Sequence, residues 1–148
     1  MSQTISLKGE AVRKEAVAGG AITPGMLVQG YPGAVVVHAV AAGNARAHFA
    51  LENDLIGGAV ADDYASGDTV QIGAFAPGAE VFAILASGQN VTAVGTALVS
   101  AGNGRLEAFV PLNTSASDVT IPTDNIVAYA LEAVNATSAA ARIKVEVA

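Results

Sequence analysis

The sequence predicts an all-β protein: a small barrel or sandwich of short antiparallel strands and hairpins, preceded by an extended N-terminal arm. Three observations predict it. Residues 66–109 read SGDTVQIGAFAPGAEVFAILASGQNVTAVGTALVSAGNGRLEAF, which is strand and turn in succession with Gly at nearly every turn. Residues 142–147 give the cleanest alternation in the chain, with Ile143, Val145 and Val147 facing in and Lys144 and Glu146 facing out. The apolar content is spread through short segments, and no run approaches the roughly 18–20 residues of a spanning helix.

The elements follow in order. Residues 1–20 form the arm, polar at its front and ending in Gly19 and Gly20. The segment SLKGEAVRKEAV has too few apolar residues at helical spacing for a helix, so an extended, loosely ordered arm is expected, with a short helix over 10–17 as the alternative. The β-rich body spans 21–148. Pro24-Gly25 is a turn signal, followed by a short strand at 26–28 and a second turn at Pro32-Gly33. Residues 34–40 are β-branched and apolar and predict a buried strand. Residues 45–52 predict another, with Ala47, Phe49 and Leu51 on one face. Residues 53–67 are an acidic loop holding a short strand at 59–61. Strands at 69–75 and 80–85 are expected to pair as a hairpin across residues 76–79. Strands at 97–100 and 105–110 pair across Ala101-Gly102-Asn103-Gly104, where Asn-Gly favours positive φ and Leu106, Ala108 and Val110 point inward. A Ser/Thr/Asp/Pro-rich loop covers 111–123, a strand covers 125–134 with Tyr129 and Leu131 on one face, and 142–147 closes the chain.

Composition narrows the function. The chain of 148 residues can bury a hydrophobic core without disulfides or metal. It has no cysteine, which removes thiolate catalysis and Cys-ligated zinc. The N-terminus shows no apolar h-region of a signal peptide, so the sequons at Asn90, Asn113 and Asn135 read as chance matches. In residues 1–20, Lys8, Arg13 and Lys14 stand against Glu10 and Glu15, a net of +1, which leaves four basic and eleven acidic residues, a net of −7, in the body. An acidic body repels phosphate backbones, so neither nucleic acid nor membrane is an expected partner.

No constellation supports catalysis. His38 and His48 are the only histidines; Glu52 shares a face with His48 but lies too far along a strand for one ion. Glu52, Asp54, Asp62, Asp63 and Asp68 are dense enough to consider calcium but lack the spacing that wraps a chain around it. Gly102-Asn103-Gly104 joins strands and is a hairpin turn, not a phosphate cradle. Residues 59–68 (AVADDYASGD) resemble the third motif of trimeric dUTPases. Aligned on Asp63-Tyr64, Ala61 stands at the catalytic Asp position, and the other motifs are missing. No catalytic, cofactor-binding or metal residue is therefore expected.

Four stretches carry a resemblance: TPGMLVQ at 23–29, HFALENDLIGGAVADDYASGDTVQIGAFAPGAEVFAILASGQ at 48–89, VGTALVSAGNGRLE at 94–107 and NIVAYALEAV at 125–134. In this order they resemble the head decoration, or capsid cement, proteins of tailed bacteriophages. The recognisable elements are Tyr64-x-x-Gly67-Asp68 before a hairpin, Pro77-Gly78 between its strands, Leu85-Ala86-x-Gly88-Gln89 after it, and the Leu98-x-Ser100-Ala101-Gly102-x-Gly104 turn. Thr96 departs from the acidic residue expected after Gly95. The resemblance implies a virion protein on the capsid exterior, made in the host cytoplasm. It would act as a trimer bridging subunits of the major capsid protein. The arm would add as a strand to a coat-protein sheet edge, with Ile5, Leu7, Val12 and Arg13 as the contacts. A phage tail or fibre module is the alternative.

Overall fold

The computed structural model describes residues 4–110 and 125–148 of the chain. Thirteen strands are found among them, and the expected loop over 111–123 lies outside the described residues. One long ladder starts from the chain's most alternating sequence. β13 (Ala141–Val147) buries Ile143, Val145 and Val147, and runs antiparallel to β7 (Glu80–Leu85) from Ala141↔Leu85 to Glu146↔Glu80. Its other edge pairs with β11 (Ala128–Ala130), which pairs in turn with β9 (Ala97–Ser100). β9 pairs with β10 (Leu106–Ala108), and Leu106 meets Leu85 in parallel to complete the ring. The closed order is β7-β10-β9-β11-β13, a five-stranded barrel.

A barrel this narrow has no lumen, because side chains fill it. Val81, Ala83, Leu85, Leu98, Leu106, Ala128, Ile143 and Val145 are all fully buried there. Small side chains at Ala83, Ala128 and Ala130 let the walls approach. Each large aliphatic one contributes roughly 1.5–3 kcal/mol by leaving water.

β1 (Ser6–Lys8) joins the first part of β7, on the edge that β10 meets further along. A second sheet, β2-β6-β5, is built from β2 (Ala11–Val17), β5 (His48–Ala50) and β6 (Thr69–Phe75). β6 is central in it and buried on both faces. Phe49, Leu51 and Phe75 join the barrel's core, the two Phe rings meeting edge to face at 6.0 Å. Val70, Ile72 and Ala50 face a second core with Ile22, Val35 and Tyr64. Gly73 sits where the layers touch: a Cβ there would stand 2.7 Å from Phe75 and 3.1 Å from Leu51. Two small ribbons complete the chain, β3 (Val28–Gln29) with β4 (Val36–Val37) and β8 (Gln89–Val91) with β12 (Val134–Ala136).

The β9–β10 hairpin pairs as its turn predicts, Leu106↔Ser100 to Ala108↔Leu98. Its positive φ values fall on Gly102 (94°) and Gly104 (77°), with Asn103 between them outside that region. Val110, expected inside, is exposed beyond the last pair.

Four further expectations are corrected. The strands at 69–75 and 80–85 form, but not as a hairpin with each other. The turn at 76–79 carries the chain from one sheet to the other, because β6 is taken by β2 and β5 and β7 by β13, β1 and β10. The strand over 34–40 shrinks to Val36–Val37: His38 turns inward to bond Ser100, leaving Val36 and Val40 at the surface. Residues 59–61 form a turn, in which Asp62 Oδ2 accepts the Ala59 N–H at 2.8 Å. Finally, residues 4–20 are extended but not loose. β2 pairs along its whole length with β6, and β1 docks on β7.

Candidate interaction surface

The N-terminal strand β2 is an edge. β6 occupies one side, and among the described residues no strand pairs on the other. Registers fix which backbone groups are free. Phe75 N–H bonds the Ala47 carbonyl and the Gln71 carbonyl receives Leu51 N–H, so odd residues of β6 face β5 and its even residues face β2. Their partners are Val12, Lys14 and Ala16; Ala11, Arg13 and Glu15 therefore turn N–H and C=O outward. Among the described residues only the Val17 end is closed, by the Val35 N–H at 2.9 Å. An open edge of this kind is a template for another strand. The run Arg13-Lys14-Glu15 at its centre restricts which strand can approach, since like charges opposite each other destabilise a pair.

Beside this edge stands an apolar tip. Asn53 leads into the 3₁₀ turn Asp54–Ile56, which Gly57 closes at φ 75°. Arg13 grips Asp54 with both guanidinium nitrogens, at 3.0 and 3.2 Å. The hydrogen bond between them raises the Arg13 pKa and lowers that of Asp54. The tip so tethered presents Leu55 and Ile56, 72% and 80% exposed. Two adjacent large aliphatic side chains in water, on a loop joined to β2 by an ion pair, make this tip a candidate contact surface.

The four expected contacts separate. Val12 is 64% exposed on the edge strand, and Leu7 is 38% exposed on β1. Arg13 is at the surface but already paired within the chain. Ile5 is a correction: it is fully buried in the barrel core. Its carbonyl accepts Phe82 N–H at 2.8 Å and its own N–H bonds Glu52 Oε2 at 3.0 Å. An aliphatic side chain that reaches the barrel core is stabilised more there than at a surface. Leu55 and Ile56 were not anticipated, although a Leu-Ile pair inside an acidic loop is itself a signal.

The histidines part company too. His38 Nδ1 and Ser100 Oγ are 2.6 Å apart, and His38 Nε2 stands 3.0 Å from the Asn44 carbonyl, which ties the 38–44 loop to β9. His48 meets the edge of Tyr31 at 6.3 Å. Burial first, then the charges of Lys14 and Arg46, lowers its pKa. Glu52 is occupied by Ile5 N–H, and Asp62 and Asp68 cap their own turns at 2.8 Å. Among the described residues no three His, Cys, Asp or Glu side chains converge on one point.

No protein-family model matches the chain, and no curated protein matches it. Among solved structures it is similar to the head fiber gp8.5 N base of bacteriophage phi29. The TM-score is 0.55 at 14% sequence identity, and the match covers 93% of each chain. At that identity the likeness is one of fold.

Proposed function

We propose that this chain is a structural protein of a tailed-phage virion that binds the outer face of the assembled capsid and stabilises it. The fold shared over 93% of both chains with a phage head fiber base carries this reading. The order of turns that resembles capsid cement proteins supports it from the sequence side. The open edge of β2 and the Leu55-Ile56 tip supply surface with which to bind.

The work required is physical. A protein that binds assembled shell but not free subunits stabilises the shell by mass action, about 2.7 kcal/mol per site at a hundredfold excess over Kd. Strand addition at residues 11–15 would give main-chain hydrogen bonds, and the apolar tip a seat between neighbouring major capsid subunits. A trimer at a local three-fold position would present three such sites at once. The test is to mix the purified protein with undecorated heads of the same phage and image them. Symmetric surface knobs are expected; bare heads overturn the reading.

A second reading is favoured by the identity of the neighbour, which is itself a fiber base. In that case the same images would show a stalk rising from each density rather than a low knob.

A further inference from the structure

A cavity of about 270 Å³ opens beside the second sheet, lined by Val28, Gln29, Tyr31, Asn44, Arg46 and His48 among others. Its charge is opposite to that of the molecule. The chain carries 13 acidic and 7 basic side chains, yet among the described residues no carboxylate lines this cavity. Arg46 stands on its wall, and the Lys14 ammonium lies 4.6 Å from the centre of the Tyr31 ring that bounds it. Among the described residues the ion pairs are Lys8 with Glu80 and Arg13 with Asp54, so neither Lys14 nor Arg46 is neutralised in one. Both cations act on His48, whose ring borders the same space.

We propose that this cavity binds a carboxylate, carried by a free small acid or by an acidic side chain of a second copy of this chain. Arg46 offers a planar fork of N–H donors that fits a carboxylate in two-point contact. His48 lines the wall with ring nitrogens able to donate or accept, and Gln29 and Asn44 add amide groups at the boundary. Lys14, held over Tyr31, adds charge without needing direct contact. The volume lies below the roughly 300 Å³ at which drug-sized sites begin, which suits one small acid or one inserted side chain. A second copy has a carboxylate to give: of Glu52, Asp54, Asp62, Asp63 and Asp68 on one loop, Glu52 accepts the Ile5 N–H, Asp54 is paired and Asp62 and Asp68 cap turns, which leaves Asp63. The inference rests on the cavity's own chemistry and holds whether or not the protein binds capsids.

The test is NMR of the full chain with ¹³C-labelled histidine, read at the His48 ring. One arm titrates sodium glutarate against sodium chloride at equal ionic strength. The other raises protein concentration with no acid added. A saturable His48 shift in the first arm assigns a free acid; a shift in the second assigns a second copy. Either must weaken about tenfold in Arg46→Gln, as expected for loss of a charge-assisted contact. Arg46 is exposed, and unchanged amide signals outside the cavity verify the fold of the variant. Lys14→Gln gives an independent check, with the same direction of change. A His48 ring that shifts in neither arm, or that shifts equally in wild type and Arg46→Gln, overturns the proposal.

Discussion

Ile5→Ala separates a free arm from a built-in strand. Ile5 is fully buried among barrel residues, one position before β1 begins at Ser6. Truncation removes about three carbon groups, at about 0.8 kcal/mol each, or about 2.4 kcal/mol of transfer free energy. A cavity term adds to this where the barrel end fails to collapse, giving a total of about 3–4 kcal/mol within the 2–5 kcal/mol range of such replacements. For a chain of this size, 1 kcal/mol moves Tm by about 2–4 °C, so the midpoint should drop by about 6–16 °C. Urea unfolding gives ΔΔG directly, and the slope m should not change. Leu7→Ala, two residues on and partly exposed, is the control and should cost under about 1 kcal/mol. If Ile5→Ala also costs under about 1 kcal/mol, the N-terminal segment is loose in solution and the barrel does not depend on it.

Gly73→Ala should destabilise by about 1–3 kcal/mol, because its Cβ would press on Phe75 and Leu51 between two packed layers; thermal unfolding checks it. Leu55→Ser with Ile56→Ser should leave Tm within about 2 °C, since both side chains are in water, while weakening attachment to heads in a sedimentation assay. Attachment equal to wild type would remove the tip from the contact surface. His48 should make the protein acid-sensitive. Its folded pKa lies below the ordinary 6.5, so the unfolded chain takes up the proton more readily. That contribution is nil well above pH 6.5 and becomes destabilising as pH falls through 6.5 towards the folded value. His48→Gln should therefore flatten the stability profile as pH falls below about 6.5. An unchanged slope would mean that His48 does not exclude its proton.

Much of the scaffold was legible because its signals are local. In β13 the alternation of Ile143, Val145 and Val147 records burial on one face only, and the β9–β10 reversal is written into Gly102 and Gly104. Both strands flanking Pro77-Gly78 were legible to the residue, but their partners were not. A turn sequence fixes that the chain reverses, whereas the ladder energy decides what each strand meets. For β6 that was β2, far away in sequence, whose charged Arg13-Lys14-Glu15 gave no hint of a strand packed along a buried neighbour. β8 was missed for a similar reason: Gln89 and Asn90 look like turn, yet Val91 is buried and Gln89 Oε1 accepts the Ala108 N–H at 3.0 Å.

The surfaces were the least legible part, and the reason is topological. Lys14 and His48 belong to different strands of one sheet, while Tyr31 and Arg46 come from the loops between. No spacing rule relates them, since only the β2-β6-β5 order brings them together. The edge of β2 is equally a property of topology. Had β6 and β7 paired as a hairpin, β2 would have had no seat on β6, and residues 4–20 would be the loose arm that their composition predicts. Because β6 pairs with β2 instead, the segment gains a fixed inner edge and an outer one already extended. A partner strand then meets a preorganised template, with little of the roughly 1–2 kcal/mol per residue of backbone ordering left to offset on this side. Binding at this edge would thus draw on order that the fold has already established, and the ordering cost would fall on the partner.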